Sequence, residues 1–418
     1  MRILHVVPRY PPAIGGAETW CAGVARWQAS HGHAVRVLAL RAVADDELWG
    51  DHWSAAPRLS GPVAVGPEDV QEGVSVRRCA FSPTGFGLAR LLSRLGLETF
   101  AWGQSAELCG RVLREARKAA DVHAHWAPGL HALVAWVGAR AARRPFVLTP
   151  HFHAGDRRHE QRAVQWILRH SDRVVAVTGT EVETLRARGV RGDRIVRASN
   201  AIDPAALAPS STPRDAVRTA LAVPPGAPLV CYLGRKSSAK SLDVLLRALP
   251  AVRHLPPPIL ALAGPSTEWF QRVLREAPCA ERIRDLPVLS ESAKSALLAA
   301  SDLLVQPSRH EAFGIVFLEA WAVGTPVLGA DIPAVREVIG DAGALFRADD
   351  AGHLASAIDA VLADRERARR LAERGRQRIR ALHTWDQVGP AVMAAYPRMQ
   401  AGDLAPDDFT PAKQPSWP

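Results

Sequence analysis

Cysteine is sparse in this chain, and what there is forms no pattern. The five present, Cys21, Cys79, Cys109, Cys231 and Cys279, are odd in number and include no Cys-x-x-Cys pair. That argues against a disulfide framework or a cysteine-built zinc site and for a reducing cytosol. No uncharged apolar stretch approaches a membrane span; the longest, around Leu130 to Gly138, ends at Arg140. The opening apolar run, Met1-Arg-Ile-Leu-His-Val-Val-Pro, is too short for a signal peptide. No Gly-x-Gly-x-x-Gly follows a strand, which argues against a nicotinamide-dependent dehydrogenase. No Asp-x-Asp of the kind that holds a metal on a diphosphate is present, and no His, Cys, Asp and Glu group has metal-ligand spacing. No metal is therefore expected. A basic stripe interleaved with aromatics is also missing, so nucleic acid is not an expected partner.

What is present points to two cores. A chain of 418 residues is too long for one, and 48% hydrophobic residues supply ample material for both. The formal charge of +10 suits phosphorylated ligands and leaves weak peripheral contact with an anionic inner membrane face open, for an otherwise cytoplasmic protein. Short β-rich runs at 2–7, 34–39, 74–78, 122–125, 145–149, 173–177 and 195–197 alternate with helical patterns such as 17–30, 107–119 and 181–188. After a Pro/Ser-rich break at 203–214 the alternation restarts, with strands at 228–233, 259–263, 285–288, 302–306, 326–330 and 343–346 and helices at 241–254 and 293–300. Such alternation predicts an α/β chain of two doubly wound domains, 1–202 and 215–384. Ligands bind such sheets outside the carboxyl ends of the strands, so the two domains are expected to face each other across a cleft. The Pro- and Asp-rich tail from 402 to 418 reads as disordered.

The most informative stretch is 309–331. There Glu311 and Glu319 are separated by seven residues, with Phe313-Gly314 between them and an apolar run of helical spacing from Ile315. A helix that starts there exposes backbone N–H groups and a positive dipole end, an anion site beside two carboxylates. That combination suits a ligand with both phosphate and hydroxyls. The first strand leads into Gly15-Gly16, just before a helix, where backbone N–H groups can approach a ligand. The strand at 228–233 leads into Gly234-Arg235-Lys236 and on to Lys240. Arg235 and Lys240 are candidates to neutralise a diphosphate, whereas Lys236 reads as a loop charge. The strand at 145–149 runs into Pro150-His151-Phe152-His153, and His125 ends another strand. His151 and His153 are not separable on these grounds, and His125 is the weaker candidate.

Taken together, these segments resemble the retaining glycosyltransferases of the GT-B fold, specifically glycosyltransferase family 4, over roughly residues 1–401. The elements occur in the family's order: Gly15-Gly16-Ala17-Glu18, the His151 strand end, Asn200-Ala201-Ile202-Asp203, Gly234-Arg235 with Lys240, and Glu311 with Glu319. The resemblance implies two Rossmann-like domains, the first binding an acceptor and the second a nucleoside diphosphate sugar, with a UDP-sugar favoured. It implies a last segment, 385–401, that crosses back to the first domain. It assigns Gly15 and Gly16 to the donor phosphate or acceptor, Arg235 and Lys240 to the diphosphate, and Glu319 to the ribose. Glu311 would bind hydroxyls of the donor sugar and His151 would sit near the reacting centre, making these two the catalytic candidates. Backbone groups of Phe313, Gly314 and Ile315 would cap sugar and phosphate. No cofactor beyond the donor is implied. The acceptor is left open among small molecules, saccharides and lipid-linked intermediates, with Trp49, Trp53, Phe81, Phe86 and Trp102 near its expected region. A nucleotide-sugar-binding protein without turnover is the alternative. Two departures stand out: Lys240-Ser241 replaces the usual Lys-Gly and is expected to change little. Asn200-Ala201-Ile202-Asp203 replaces Asn-Gly-Val-Asp and is expected to alter its turn.

Overall fold

The computed structural model describes residues 1–13, 15–41, 66–80, 105–153, 155–203 and 212–397. Trp49, Trp53, Phe81, Phe86 and Trp102, most of the 203–214 break and the 402–418 tail lie outside the described residues. The chain divides into two compact units. Unit 1 takes residues 1–177 and 182–198 and the chain from Gly389; unit 2 takes 178–181 and 199–388.

Unit 1 is built on an eight-stranded sheet in the order β3-β4-β2-β1-β5-β6-β7-β8. Its strands are β1 (Arg2–Val6), β2 (Ala34–Leu40), β3 (Glu68–Gln71), β4 (Val74–Cys79), β5 (Asp121–His125), β6 (Phe146–Thr149), β7 (Arg173–Ala176) and β8 (Ile195–Arg197). All neighbours are parallel except β3 and β4. A parallel sheet is covered on both faces, so its strands read as near-continuous apolar runs. Strand β2 shows why: Leu38 and Leu40 pack into one core with Val122, Phe146 and Val174, while Val35, Val37 and Ala39 pack into the other with Cys21 and Val76. The antiparallel β3 has no counterpart among the expected strands, because Glu68-Asp-Val-Gln71 carries no β-rich signal. Charge secures this edge instead: Glu68 meets Arg77 at 3.1 Å and Asp69 meets the buried Arg78 at 2.9 Å.

Unit 2 has a six-stranded, wholly parallel sheet in the order β11-β10-β9-β12-β13-β14. The strands are β9 (Leu229–Leu233), β10 (Ile259–Ala263), β11 (Ile283–Leu286), β12 (Leu303–Gln306), β13 (Val327–Ala330) and β14 (Ala344–Phe346). Three expectations shift. The third strand lies two residues earlier than 285–288, because Ile283 supplies its buried end and Pro287 cannot donate to a ladder. The helix expected at 241–254 is α-helical only over Leu242–Ala248 and ends in a 3₁₀ turn at Leu249–Ala251, where Pro250 removes a donor. Arg214, placed in the linker by composition, instead opens the helix Arg214–Ala220.

One helix positions the candidate site. Ile315–Val323 is apolar all round except for Glu319, and Phe317, Leu318, Ala320 and Trp321 are buried. A helix of that character belongs inside a domain. Its outer side is closed by the helix Arg365–Leu382, which reaches it through Gly375: a Cβ at Gly375 would come within 2.1 Å of the Trp321 ring.

Candidate functional site

In unit 2, β9 and β12 are hydrogen-bonded neighbours, so the loops that leave their carboxyl ends leave side by side. Gln306, the last residue of β12, donates from Nε2 to the Leu233 carbonyl at 2.6 Å and ties the two ends together. The loop after β9 folds back on itself. Gly234 takes a φ of 142°, and the Tyr232 hydroxyl donates to the Arg235 carbonyl at 2.6 Å. Burial, then the nearby Glu311 charge, push the Tyr232 hydroxyl's pKa well above the ordinary value, with Arg235 opposing, so it remains a neutral donor.

Three basic residues of this loop have different fates. Lys236 is 1% exposed, pairs with Asp285, donates to the Leu286 carbonyl at 2.8 Å and lies 5.3 Å from the Phe270 ring centre. It anchors the loop. Lys240, half-buried, extends its ammonium to Glu311 Oε2 at 2.6 Å. Arg235 stays half-exposed at the mouth of the loop. Lys240 and Glu311 are therefore brought together by sheet order, though 71 positions apart in the chain.

Beyond Glu311 the chain turns at Gly314, whose φ of 86° is left-handed. A Cβ there would lie 2.6 Å from the Phe317 ring, so glycine is needed both for the turn and for the space. The helix then begins at Ile315, presenting the unpartnered N–H groups that any helix start carries. Phe313 is 3% exposed and meets the His383 ring edge-on at 5.5 Å, which leaves its backbone, not its ring, as the available part.

Glu319 is a buried carboxylate, 7% exposed. Its Oε1 accepts from Lys294 Nζ at 2.8 Å, and the same ammonium meets Glu291 at 2.7 Å. Burial pulls the Lys294 pKa down, but the two glutamates outweigh it and the net shift is upward, so this ammonium stays charged. Sequence reasoning did not single out Lys294. In Glu291-Ser-Ala-Lys294 it looks like any solvated helix lysine, and only its juxtaposition with Glu319 distinguishes it.

Unit 1 holds the remaining candidates. Gly15 has an extended backbone, with a φ of 172°, so no special conformation demands glycine. Space does: a Cβ would lie 2.1 Å from Glu18 Oε2. Glu18 is buried and accepts from Arg9 Nε at 2.9 Å and Nη2 at 2.7 Å. A Cβ on Gly16, at the helix start, would meet nothing within 4 Å, so space does not demand glycine at that position. Trp20, one turn further along this helix, packs edge-on against His151 at 5.6 Å and thereby relates the glycine loop to the β6 end.

His151 is left-handed, with a φ of 46°, and 5% exposed. Burial first, and then His153, push its pKa down to about 3, so its imidazole is neutral near pH 7. Its Nε2 is buried without a hydrogen-bond partner. This separates it from His153, which is half-exposed. His125 is not at the surface of a site at all. It is fully buried, bonded through Nε2 to His5 Nδ1 at 2.7 Å, while His5 Nε2 meets Gln28 at 2.7 Å. His123 joins the Tyr396 hydroxyl at 2.6 Å and Thr149 at 2.8 Å, and Tyr396 also accepts from Gln28 at 3.0 Å. This network fastens the chain beyond Gly389 to unit 1.

Two groups of metal-capable side chains, not grouped by sequence spacing, are brought together by the fold: His5 with Cys21 and His125, and His153 with Asp156 and His159. The two motif departures also exchange significance. Ala201 is not among the described residues with positive φ, so its turn does not require glycine. Ser241 has a φ of 51° with its Oγ buried and unpartnered, so it occupies a position that favours glycine.

Comparison with known proteins agrees with this architecture. Residues 15–201 match the glycosyl transferase 4-like domain and residues 213–378 match the glycosyl transferases group 1. The D-inositol 3-phosphate glycosyltransferase of Nocardia farcinica is 31% identical over 66% of this chain, which spans only 65% of that relative's length. A glycogen synthase of Mycobacterium tuberculosis is 29% identical over the whole of both chains. Among solved structures, Anabaena HepE in complex with UDP and glucose superposes with a TM-score of 0.73 at 18% identity, covering 96% of this chain and 100% of its own. That likeness shows the GT-B fold, and the family matches together extend over both Rossmann-like units. No helix among the described residues is long and apolar enough to cross a membrane. The chain belongs to the group 1 glycosyl transferases, family 4-like, of the GT-B fold.

Proposed function

We propose that this protein transfers a glycosyl group from a nucleoside diphosphate sugar, with UDP as the favoured nucleotide, to an acceptor hydroxyl with retention of anomeric configuration. The observation that carries the reading is the pairing of Lys240 with Glu311 beside a glycine-initiated helix start, with the Lys294–Glu319 pair one turn into the same helix. Carboxylates and helix-start N–H groups of one loop-helix unit are thus met by cations from neighbouring elements, as a ligand bearing both phosphate and hydroxyls requires. Support for the nucleotide comes from HepE, solved in complex with UDP-glucose.

In this reading Arg235, Lys240 and the N–H groups at Gly314 and Ile315 take up the charge that develops on the departing diphosphate. They supply electrostatically what a metal would supply elsewhere, so the reaction needs none at the diphosphate. Glu311 accepts from donor sugar hydroxyls and Glu319 from the ribose. The bond from the anomeric carbon to the β-phosphate oxygen breaks, the acceptor oxygen attacks from the same face, and the acceptor's proton passes to the leaving phosphate. Glu319 is held to the ribose by Lys294, so no carboxylate is set opposite the sugar as a nucleophile. His151, neutral near pH 7, serves as a hydrogen-bond partner and not as an acid.

Thermal unfolding with UDP, GDP, ADP, UDP-sugars and NADH in parallel tests the ligand. Saturation at a hundred times Kd adds about 2.7 kcal/mol, and a response to UDP with none to NADH is expected. The Glu311→Ala protein should then lose about 10²–10³ in kcat while still binding UDP. Full turnover by that variant, or stabilisation by NADH alone, would overturn the assignment.

A further inference from the structure

We propose that His153, Asp156 and His159 form a binding site for a divalent transition-metal ion of the zinc class, which braces the turn that follows β6. The site uses none of the diphosphate-handling residues of unit 2 and stands independently of the transferase reading.

The backbone builds the cluster. The Asp156 N–H donates to the His153 carbonyl at 3.2 Å, and the His159 N–H donates to the Asp156 carbonyl at 2.9 Å. Two successive turns of this kind put residues three apart on one side, and one ligand-capable atom of each side chain lies within 4.8 Å of the others. Gln165, in the helix Arg162–His170, donates to the His159 carbonyl at 3.0 Å and fixes the far end of the turn.

The observation that asks for a ligand is His159 itself. It is 1% exposed, and neither Nδ1 nor Nε2 has a hydrogen-bond partner. A neutral imidazole always carries one N–H donor and one lone pair, and leaving both unsatisfied in a dry interior is destabilising. Its surroundings offer no remedy. Phe152 lies edge-on at 5.2 Å, Trp126 edge-on at 5.9 Å, and the His153 ring is stacked at 5.3 Å. A metal on the lone pair satisfies at least one of the two positions.

The donor set identifies the ion's class. Two imidazoles and one carboxylate suit zinc and its neighbours, with water completing the shell, whereas magnesium and calcium want oxygen alone. Metal–ligand bonds of about 2.0–2.1 Å place tetrahedral ligands about 3.3 Å apart. The separations in the cluster, at most 4.8 Å, therefore have to close by no more than roughly 1.5 Å, through rotation of the half-exposed His153 and a shift of Asp156 together with the Arg158 that holds it. Arg158 already grips the carboxylate, with its backbone N–H 2.9 Å from Oδ1, its Nε 3.0 Å from both oxygens and its Nη2 2.5 Å from Oδ2. It acts as the outer partner that orients a ligating carboxylate. The turn begins two residues after His151, so the ion would hold the segment that carries this ring.

Metal-stripped, tag-free full-length protein is titrated with zinc alone, followed by calorimetry and by metal analysis after dialysis, with cobalt as a spectroscopic stand-in. One equivalent of zinc should bind, magnesium should not compete, and cobalt should show visible bands of a nitrogen- and oxygen-ligated ion. His153→Ala, a change at a half-exposed residue that leaves the core intact, and Asp156→Asn should each weaken zinc at least tenfold. His159→Gln should do the same, with circular dichroism reporting that it folds. No saturable binding, or affinity unchanged in His153→Ala and Asp156→Asn, overturns the proposal. So does a thiolate-to-cobalt charge-transfer band, which would place the ion at His5, Cys21 and His125.

Discussion

Lowering the pH from 7.5 to 5.0 should remove a large part of the stability of unit 1. Three of its buried histidines carry the argument. Burial lowers His5 to about 4, with a bond to Gln28 opposing; burial lowers His131 to about 4, with backbone bonds opposing; and burial and then His153 lower His151 to about 3. An unfolded histidine titrates near 6.5. Between 6.5 and the folded values the unfolded chain binds protons that the folded unit refuses, so stability is complete above 6.5 and falls with pH. One pKa unit corresponds to about 1.36 kcal/mol, and pH 5.0 lies 1.5 units below the unfolded value but above all three folded values. Each ring therefore costs about 2 kcal/mol at pH 5.0, or about 6 kcal/mol for the three, against the 5–15 kcal/mol typical of a domain. His123 and His125 are also lowered by burial and act in the same direction. The depressed carboxylate Glu107, at about 2, loses its contribution only below pH 4.5 and does not interfere. Urea unfolding at constant ionic strength, followed by tryptophan fluorescence at half-unit pH steps, should give a slope near 3.5 kcal/mol per pH unit around pH 5.5. A change below about 1 kcal/mol between pH 7.5 and 5.0 would show that these rings are hydrated or charged in the folded protein and would refute the reasoning.

Other outcomes follow from single contacts. Lys294→Met should weaken nucleotide binding far more than it lowers kcat, because it frees Glu319 to reorient and leaves that carboxylate buried and unpaired; calorimetry with UDP alongside kinetics checks the split. Ser241→Gly should raise stability by about 1 kcal/mol, since a left-handed position no longer carries a Cβ; a lower urea midpoint would contradict this. Gly375→Ala should cost about 1–3 kcal/mol by overpacking against Trp321, visible as a drop in Tm together with weaker nucleotide binding through the displaced helix.

Legibility differed between the units' frames and their contacts. Strands such as β1, β9 and β12 were readable because a parallel strand covered on both faces must be apolar along its length. The edge strand β3 was not, because cross-strand ion pairs replace burial there. Glu311 and Glu319 were legible as candidates from their spacing about Gly314. Lys294 was not, since nothing in its own helix marks it. Ser241 and Ala201 were judged by what the family places there, and backbone torsions reversed their importance.

The sequence by itself determined the two α/β units, the order of their strands and helices, and the loops on which charged candidates stand, because hydrophobic periodicity, glycine and proline act over a few residues. Tertiary structure alone decided the partners. Lys240 meets Glu311 only because β9 and β12 are neighbours, and Lys236 is spent on Asp285 only because β10 and β11 pair. His5, His125, His123 and Tyr396 form one network only because β1 and β5 pair and the chain beyond Gly389 returns to unit 1. Sheet order is a property of the whole packed core, and no local pattern encodes which two loop ends it sets side by side.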